Sequence, residues 1–153
     1  MLRSGSLLRL IAFAALTLGA CARGAGPAIE ATFPPSSDGL VDAMVVSLVD
    51  QTGLVTATTV AAGAGATGDG GPRVVAEPGD PNALRLEWLG SDCDGRTSIV
   101  LVESGDDYLA TIHVDPTPAG GFGCGQIDLP RALTVHLREP IAPERITITQ
   151  QFP

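Results

Sequence analysis

The chain has 153 residues, with 17 acidic and nine basic side chains and a formal net charge of −8. That balance argues against a nucleic-acid partner, because phosphate backbones are held by clustered Arg and Lys. Aromatic residues make up 4% of the chain, too few to favour a groove of stacked rings for sugars or peptides. All nine cations are arginine, which together with abundant Ala, Gly and Pro reads as the imprint of a high-GC genome.

At the N-terminus, Arg3 and Arg9 form a positive n-region, residues 10–18 form an apolar h-region, and small residues follow, the layout of a secretory signal. The closing stretch Leu18-Gly19-Ala20-Cys21 resembles the lipobox of bacterial lipoproteins, where a leucine stands three positions before an invariant cysteine and two small residues lie between. The resemblance implies that residues 1–20 are a cleaved lipoprotein signal peptide and that Cys21 becomes the lipid-bearing first residue. The same residues also fit an ordinary secretory signal with an incidental cysteine, or an uncleaved membrane helix. A spanning helix needs roughly 20 apolar residues, and the run over residues 10–22 is shorter and cut off from Leu7-Leu8 by Arg9. Two or more acyl chains anchor stably, so a lipoprotein is expected on the extracytoplasmic face of the cell membrane. Ala22, not aspartate, follows the cysteine. Cleavage removes Arg3 and Arg9 and no acid, taking the net charge to −10, and such a surface is repelled by an anionic bilayer.

With Cys21 claimed by lipid under that resemblance, Cys93 and Cys124 remain, and export takes them to an oxidising compartment. One disulfide between them is expected; its loop of about 32 residues would contribute roughly 3.5 to 4 kcal/mol. Two free thiols or two metal ligands are the alternatives, and a metal site would normally bring further Cys or His at short spacing.

Residues 21–40 read as the lipid anchor and a flexible tether, with Gly24, Gly26, Pro27 and the run Pro34-Pro35-Ser36-Ser37-Asp38-Gly39. Residues 41–153 change to short apolar runs bounded by Gly, Pro and Asp, the signature of strands. Residues 44–49 and 54–60 flank Asp50-Gln51-Thr52-Gly53 and could pair as a hairpin, although Val41, Met44, Val45 and Leu48 also fit a helical spacing. A Gly- and Ala-rich loop over residues 61–72 precedes a short strand at 73–76 and the turn Pro78-Gly79-Asp80-Pro81-Asn82.

Residues 84–89 alternate, with Leu84, Leu86 and Trp88 inward and Arg85 and Glu87 outward. Residues 97–103 lead through Gly105-Asp106-Asp107 into residues 108–115, where Ile112 and Val114 oppose Thr111, His113 and Asp115. After a Pro- and Gly-rich loop, residues 132–138 turn Leu133, Val135 and Leu137 inward, and residues 145–151 do the same with Ile146 and Ile148.

These runs predict an all-β fold of about seven strands, a small β-sandwich of immunoglobulin-like architecture or a small barrel. It is not a true immunoglobulin domain, since Trp88 precedes both Cys93 and Cys124. The pattern Trp88-x-Gly90-x-x-Cys93-Asp94, with Cys124 and the stretch from Arg131 through Val135-x-Leu137-x-x-Pro140, is similar to one in small exported proteins of high-GC Gram-positive bacteria. The resemblance implies a C-terminal module of about 70 residues and no activity.

Several motifs carry residue types suited to chemistry. Gly63-Ala64-Gly65-Ala66-Thr67-Gly68 spells G-x-G-x-x-G, but Asp69-Gly70-Gly71-Pro72 cannot start the helix that a dinucleotide site needs. Asp92, Asp94 and Glu103 fit positions of a calcium loop whose middle is wrong, with Arg96 and Thr97 where a ligand and glycine belong; a looser set would add Asp106 or Asp107. His113 and Asp115 share a strand face, and His136 would complete a two-histidine, one-carboxylate metal site if the strands were neighbours. Ser104 has no histidine in sequence reach. The expectation is therefore a non-catalytic lipoprotein without a cofactor, serving as a binding or structural module for an envelope protein partner. The alternative is a metal-binding protein or enzyme using His113, Asp115 and His136.

Overall fold

A computed structural model describes residues 27–34, 44–60, 71–91, 94–116 and 129–151. Cys21, Cys93 and Cys124 lie outside them, as do the signal segment, Asp92 and the G-x-G-x-x-G stretch. The described residues form nine strands, β1 (Ala28–Phe33), β2 (Met44–Asp50), β3 (Val55–Val60), β4 (Arg73–Ala76), β5 (Ala83–Gly90), β6 (Asp94–Ser104), β7 (Asp107–Pro116), β8 (Leu129–Leu137) and β9 (Ile146–Gln151), with one 3-10 turn at Pro143–Arg145. The fold is all-β. A five-stranded sheet runs β1-β2-β6-β7-β9 and a four-stranded sheet runs β3-β8-β5-β4.

The core between the sheets is built by period-two alternation. Met44, Val46 and Leu48 of β2, Ile99 and Leu101 of β6, and Ala110, Ile112 and Val114 of β7 meet Leu84, Leu86 and Trp88 of β5 and Leu133, Val135 and Leu137 of β8. Each of these strands turns alternate side chains to the opposite sheet, so one face is dry along its length. Burying a Leu or Ile there contributes roughly 1.5 to 3 kcal/mol.

Two sequence expectations change, and the strand directions add a third finding. The stretch expected to be tether contains β1, which pairs antiparallel with β2 and puts Phe33 in the core. Ile29, Ala31 and Phe33 alternate with Glu30 and Thr32, and Pro27 and Pro34 sit just beyond the strand, where a missing N–H costs no ladder bond. The expected pairing of residues 44–49 with 54–60 does not form, because β2 and β3 belong to different sheets. Asp50 makes the crossing: its Oδ1 accepts from the Thr52 amide at 2.8 Å and the Thr52 hydroxyl at 2.6 Å, and its Oδ2 from the Val55 amide at 2.8 Å. Gly53, at φ +74°, completes that arch. Finally, β2 runs parallel to β6, and β7 parallel to β9, so the five-stranded sheet is mixed.

The hairpin expected at Gly105 is present. Ser104 and Asp107 close it, and Gly105 at φ +67° supplies the positive dihedral that a two-residue turn requires at its first position. Arg145 ties the 3-10 turn to this hairpin, donating to the Asp106 carbonyl and, at 3.1 Å, to Asp107 Oδ1.

The registers give the molecule two ends. At one end lie Ala28 with Val49, the Asp50 arch, the Gly105 hairpin and the start of β9. At the other lie Phe33 with Met44, Asp94 with Pro116, and Gly90 with Leu129.

Candidate functional site

The residues singled out for metal chemistry are not brought together. His113 is on β7 in the five-stranded sheet, opposite Ser98 and Gln151. His136 is on β8 in the four-stranded sheet. Each is flanked by core residues and so points away from the core, which places the two imidazoles on opposite outer faces of the molecule. His113 and Asp115 thus do not share a face with His136. His136 instead has Nδ1 3.5 Å from Asp80 Oδ2, and Asp115 is exposed opposite Arg96.

The calcium frame fails in the same way. Asp94 and Glu103 stand near opposite ends of the single strand β6, and Asp106 and Asp107 are at the hairpin far from Asp94. Among the described residues no group of three or more His, Cys, Asp or Glu is arranged to hold a metal. Ser104 lies at the hairpin, while His113 is opposite the middle of β6 and His136 is on the other sheet, so neither histidine is placed to serve it as a base. No helix among the described residues is long and apolar enough to cross a membrane.

Two polar constellations were not legible in the sequence. The first covers the outer face of the four-stranded sheet. Glu87 points outward as the alternation predicts, yet it is only 2% exposed. Arg73 Nε donates to its Oε2 at 2.6 Å, and Arg85 Nε lies 2.9 Å from its Oε1, off the line of a hydrogen bond. The arginine stems on either side close over the carboxylate, as long cationic side chains do on a sheet face. Thr134 Oγ1 makes a long 3.5 Å bond to Glu77 Oε2, which is also 3.9 Å from Arg85 Nη1. The face is an ionic patch in which Glu87 is paired with both arginines. Beside it is an open groove of about 540 Å³, between the turn carrying Glu77 and Asp80 and the segment carrying Pro140, Ile141 and Pro143.

The second constellation is at the end where β5 and β8 meet. Trp88 and Arg131 stand opposite each other in register, on the inward side. Phe33 reaches across from the other sheet, its ring edge-on to Trp88 with centroids 6.1 Å apart and an angle of 84° between planes. The Arg131 Cζ lies 5.7 Å from the centroid of the same ring. Trp88 is 0% exposed, and its Nε1 is buried without a hydrogen-bond partner. Arg131 is half-buried, and its Nε and Nη2 are both buried without partners.

Asp94 is the nearby counter-charge, but both its oxygens are engaged. Oδ2 accepts from the Ser91 amide at 2.7 Å and Oδ1 from the Ser91 hydroxyl at 2.8 Å. Burial holds the Arg131 guanidinium below its ordinary pKa, and the field of Asp94 partly offsets this. Gly90 makes the arrangement possible: a Cβ there would collide with the Asp94 carboxylate and come within 3.2 Å of Arg131 Cγ and 3.3 Å of its Nε. Trp88, Gly90, Asp94 and Arg131 thus form one structural unit. No protein-family model matches this chain, and no curated protein or solved structure matches it.

Proposed function

We propose that the protein is a lipoprotein held on the extracytoplasmic face of the cell membrane through Cys21, and that its one β domain is a non-catalytic binding or structural module for an envelope protein. The support comes from the direction in which β1 enters the sheet. Ala28 follows Cys21 by seven positions, a reach of at most about 25 Å, and it joins the sheet at the end bearing the Asp50 arch and the Gly105 hairpin. An anchor at Cys21 would turn that end to the membrane. The end with Gly90, Asp94, Pro130 and Arg131 would then face outward, and loops and sites at the outer end of a sandwich are where partners commonly bind.

On this reading the two sheets form a sandwich of immunoglobulin-like architecture, closed by a disulfide between Cys93 and Cys124. That pairing is carried by the cysteine count and by export to an oxidising compartment.

Mass spectrometry of the mature protein tests anchor and bridge together: a lipid adduct on Cys21 and an oxidised peptide pair joining Cys93 to Cys124 are expected. A disulfide that includes Cys21 contradicts both. For the partner, a photoreactive residue in place of the exposed Pro130 should form one dominant cross-link in intact cells. Cross-linking from Ser104 alone, or from neither position, would remove the outward binding surface.

A further inference from the structure

We infer that Arg131 and Trp88 form a binding site for a small carboxylate. The inference adds a ligand class to the outward end and stands whether or not the protein is lipidated. The two unpartnered atoms of Arg131 are Nε and Nη2, whose N–H bonds leave the guanidinium along the same edge. That edge matches the two oxygens of a carboxylate, and side-on pairing of this kind is the geometry for which arginine is preferred over lysine. Opposite it on the neighbouring strand, the Trp88 Nε1–H is a third buried donor without an acceptor. Side chains directly opposite in an antiparallel pair have Cβ atoms about 4.5 to 5.5 Å apart, so one small anion can meet both.

Three buried donors without acceptors are costly unless something accepts from them. The carboxylate on hand is turned elsewhere: Asp94 accepts from Ser91, and neither Arg131 Nε nor Nη2 bonds to it. Phe33 lies against the guanidinium and the indole, an apolar wall that keeps water from satisfying the donors and makes a paired anion the remaining acceptor. Arg131 is partly exposed through its other atoms, while Trp88 and the three donor nitrogens are themselves covered. The smallest carboxylates, formate and acetate, are the probes suited to donors this deeply covered.

Trp88 is the one tryptophan of the chain, so its indole N–H gives a single cross-peak and its emission a single source. Formate and acetate titrated into the purified protein at constant ionic strength should move the indole and the Arg131 Nε–H resonances together and saturably, with chloride and acetamide moving neither. Arg131→Lys keeps the charge without the fork and should weaken acetate binding by about tenfold or more; Arg131→Met should abolish it. Arg73→Met, on the outer face, should leave binding unchanged. Absence of a saturable shift in the wild-type protein, an equal response to chloride, or undiminished binding in a folded Arg131→Met variant each overturns the inference. Should neither Arg131 variant fold, the wild-type titration still decides, because it reads the two donors directly.

Discussion

Gly90 and Asp94 are packed so closely that no side chain fits between them, since a Cβ on residue 90 would occupy the place of an Asp94 carboxylate oxygen. Gly90→Ala should therefore break the bonds from Asp94 to Ser91 or displace Arg131, costing about 1 to 3 kcal/mol. A chemical denaturation curve checks this, with a lowered midpoint and an unchanged slope expected. An unaltered midpoint would mean that the Asp94 turn yields without cost.

Removing the Glu87 carboxylate should hurt more than removing one of its arginines. Glu87→Ala leaves two guanidinium groups facing each other over a nearly dry position, and breaking a buried pair in this way costs about 3 to 5 kcal/mol. Arg73 is 44% exposed, and Arg85 still neutralises the acid in its absence, so Arg73→Ala should cost less than about 1 kcal/mol. Thermal melts of the two variants give the comparison directly. Equal losses would contradict the assignment of Glu87 as the centre of the network.

The Asp50 arch is a further stability determinant. Asp50→Ala strands the amides of Thr52 and Val55 at the crossing between sheets and should cost about 1 to 3 kcal/mol. Amide hydrogen exchange should quicken at Val55 and at the neighbouring β3 residues before it does at β5 or β8.

Arg131 should behave in the opposite sense. Burial lowers its pKa more than Asp94 raises it, so the folded state holds that proton less tightly than the unfolded chain. The charged group thus weighs against folding at neutral pH, and its contribution becomes less unfavourable as pH rises towards the range where arginine titrates. Arg131→Met, which fills the site with apolar atoms, should leave the melting temperature unchanged or raise it. A fall of more than a few degrees would show that the contact with Phe33 outweighs desolvation.

The alternation of apolar residues was enough to place most strands, because a sheet that buries one face must repeat every second residue. Leu84, Leu86 and Trp88, Ile112 and Val114, and Leu133, Val135 and Leu137 all face inward as that rule requires. What period two does not carry is the partner of a strand. Nothing local distinguishes β2 beside β6 from β2 beside β3, and the arch that decides it depends on Asp50 reaching Val55. Glu30 and two prolines gave β1 the composition of a linker, although Ile29, Ala31 and Phe33 carried the alternation.

The site was less legible still. His113 and His136 attract attention as residue types, yet which face of which sheet receives them is set by long-range register. Arg131 gave the opposite signal: it precedes Leu133, Val135 and Leu137 at the same two-residue spacing, so the alternation that placed those residues in the core also placed a cation there.

The long-range pairing of β2 and β3 also governs when the chain becomes a domain. β2 finds its inner neighbour in β6, roughly fifty positions later, and β3 finds β8 roughly eighty positions later. A chain emerging N-terminus first would carry four strands, β1 to β4, before either sheet had its central member. Closing such loops is entropically slow, so folding should begin late, once β8 has arrived, and finish when β9 joins β7. For an exported chain, delayed folding keeps the leading half in a state that can still be threaded. A fragment ending before residue 94 lacks the centre of one sheet and the β8 partner of the other, and so should have no stable fold of its own.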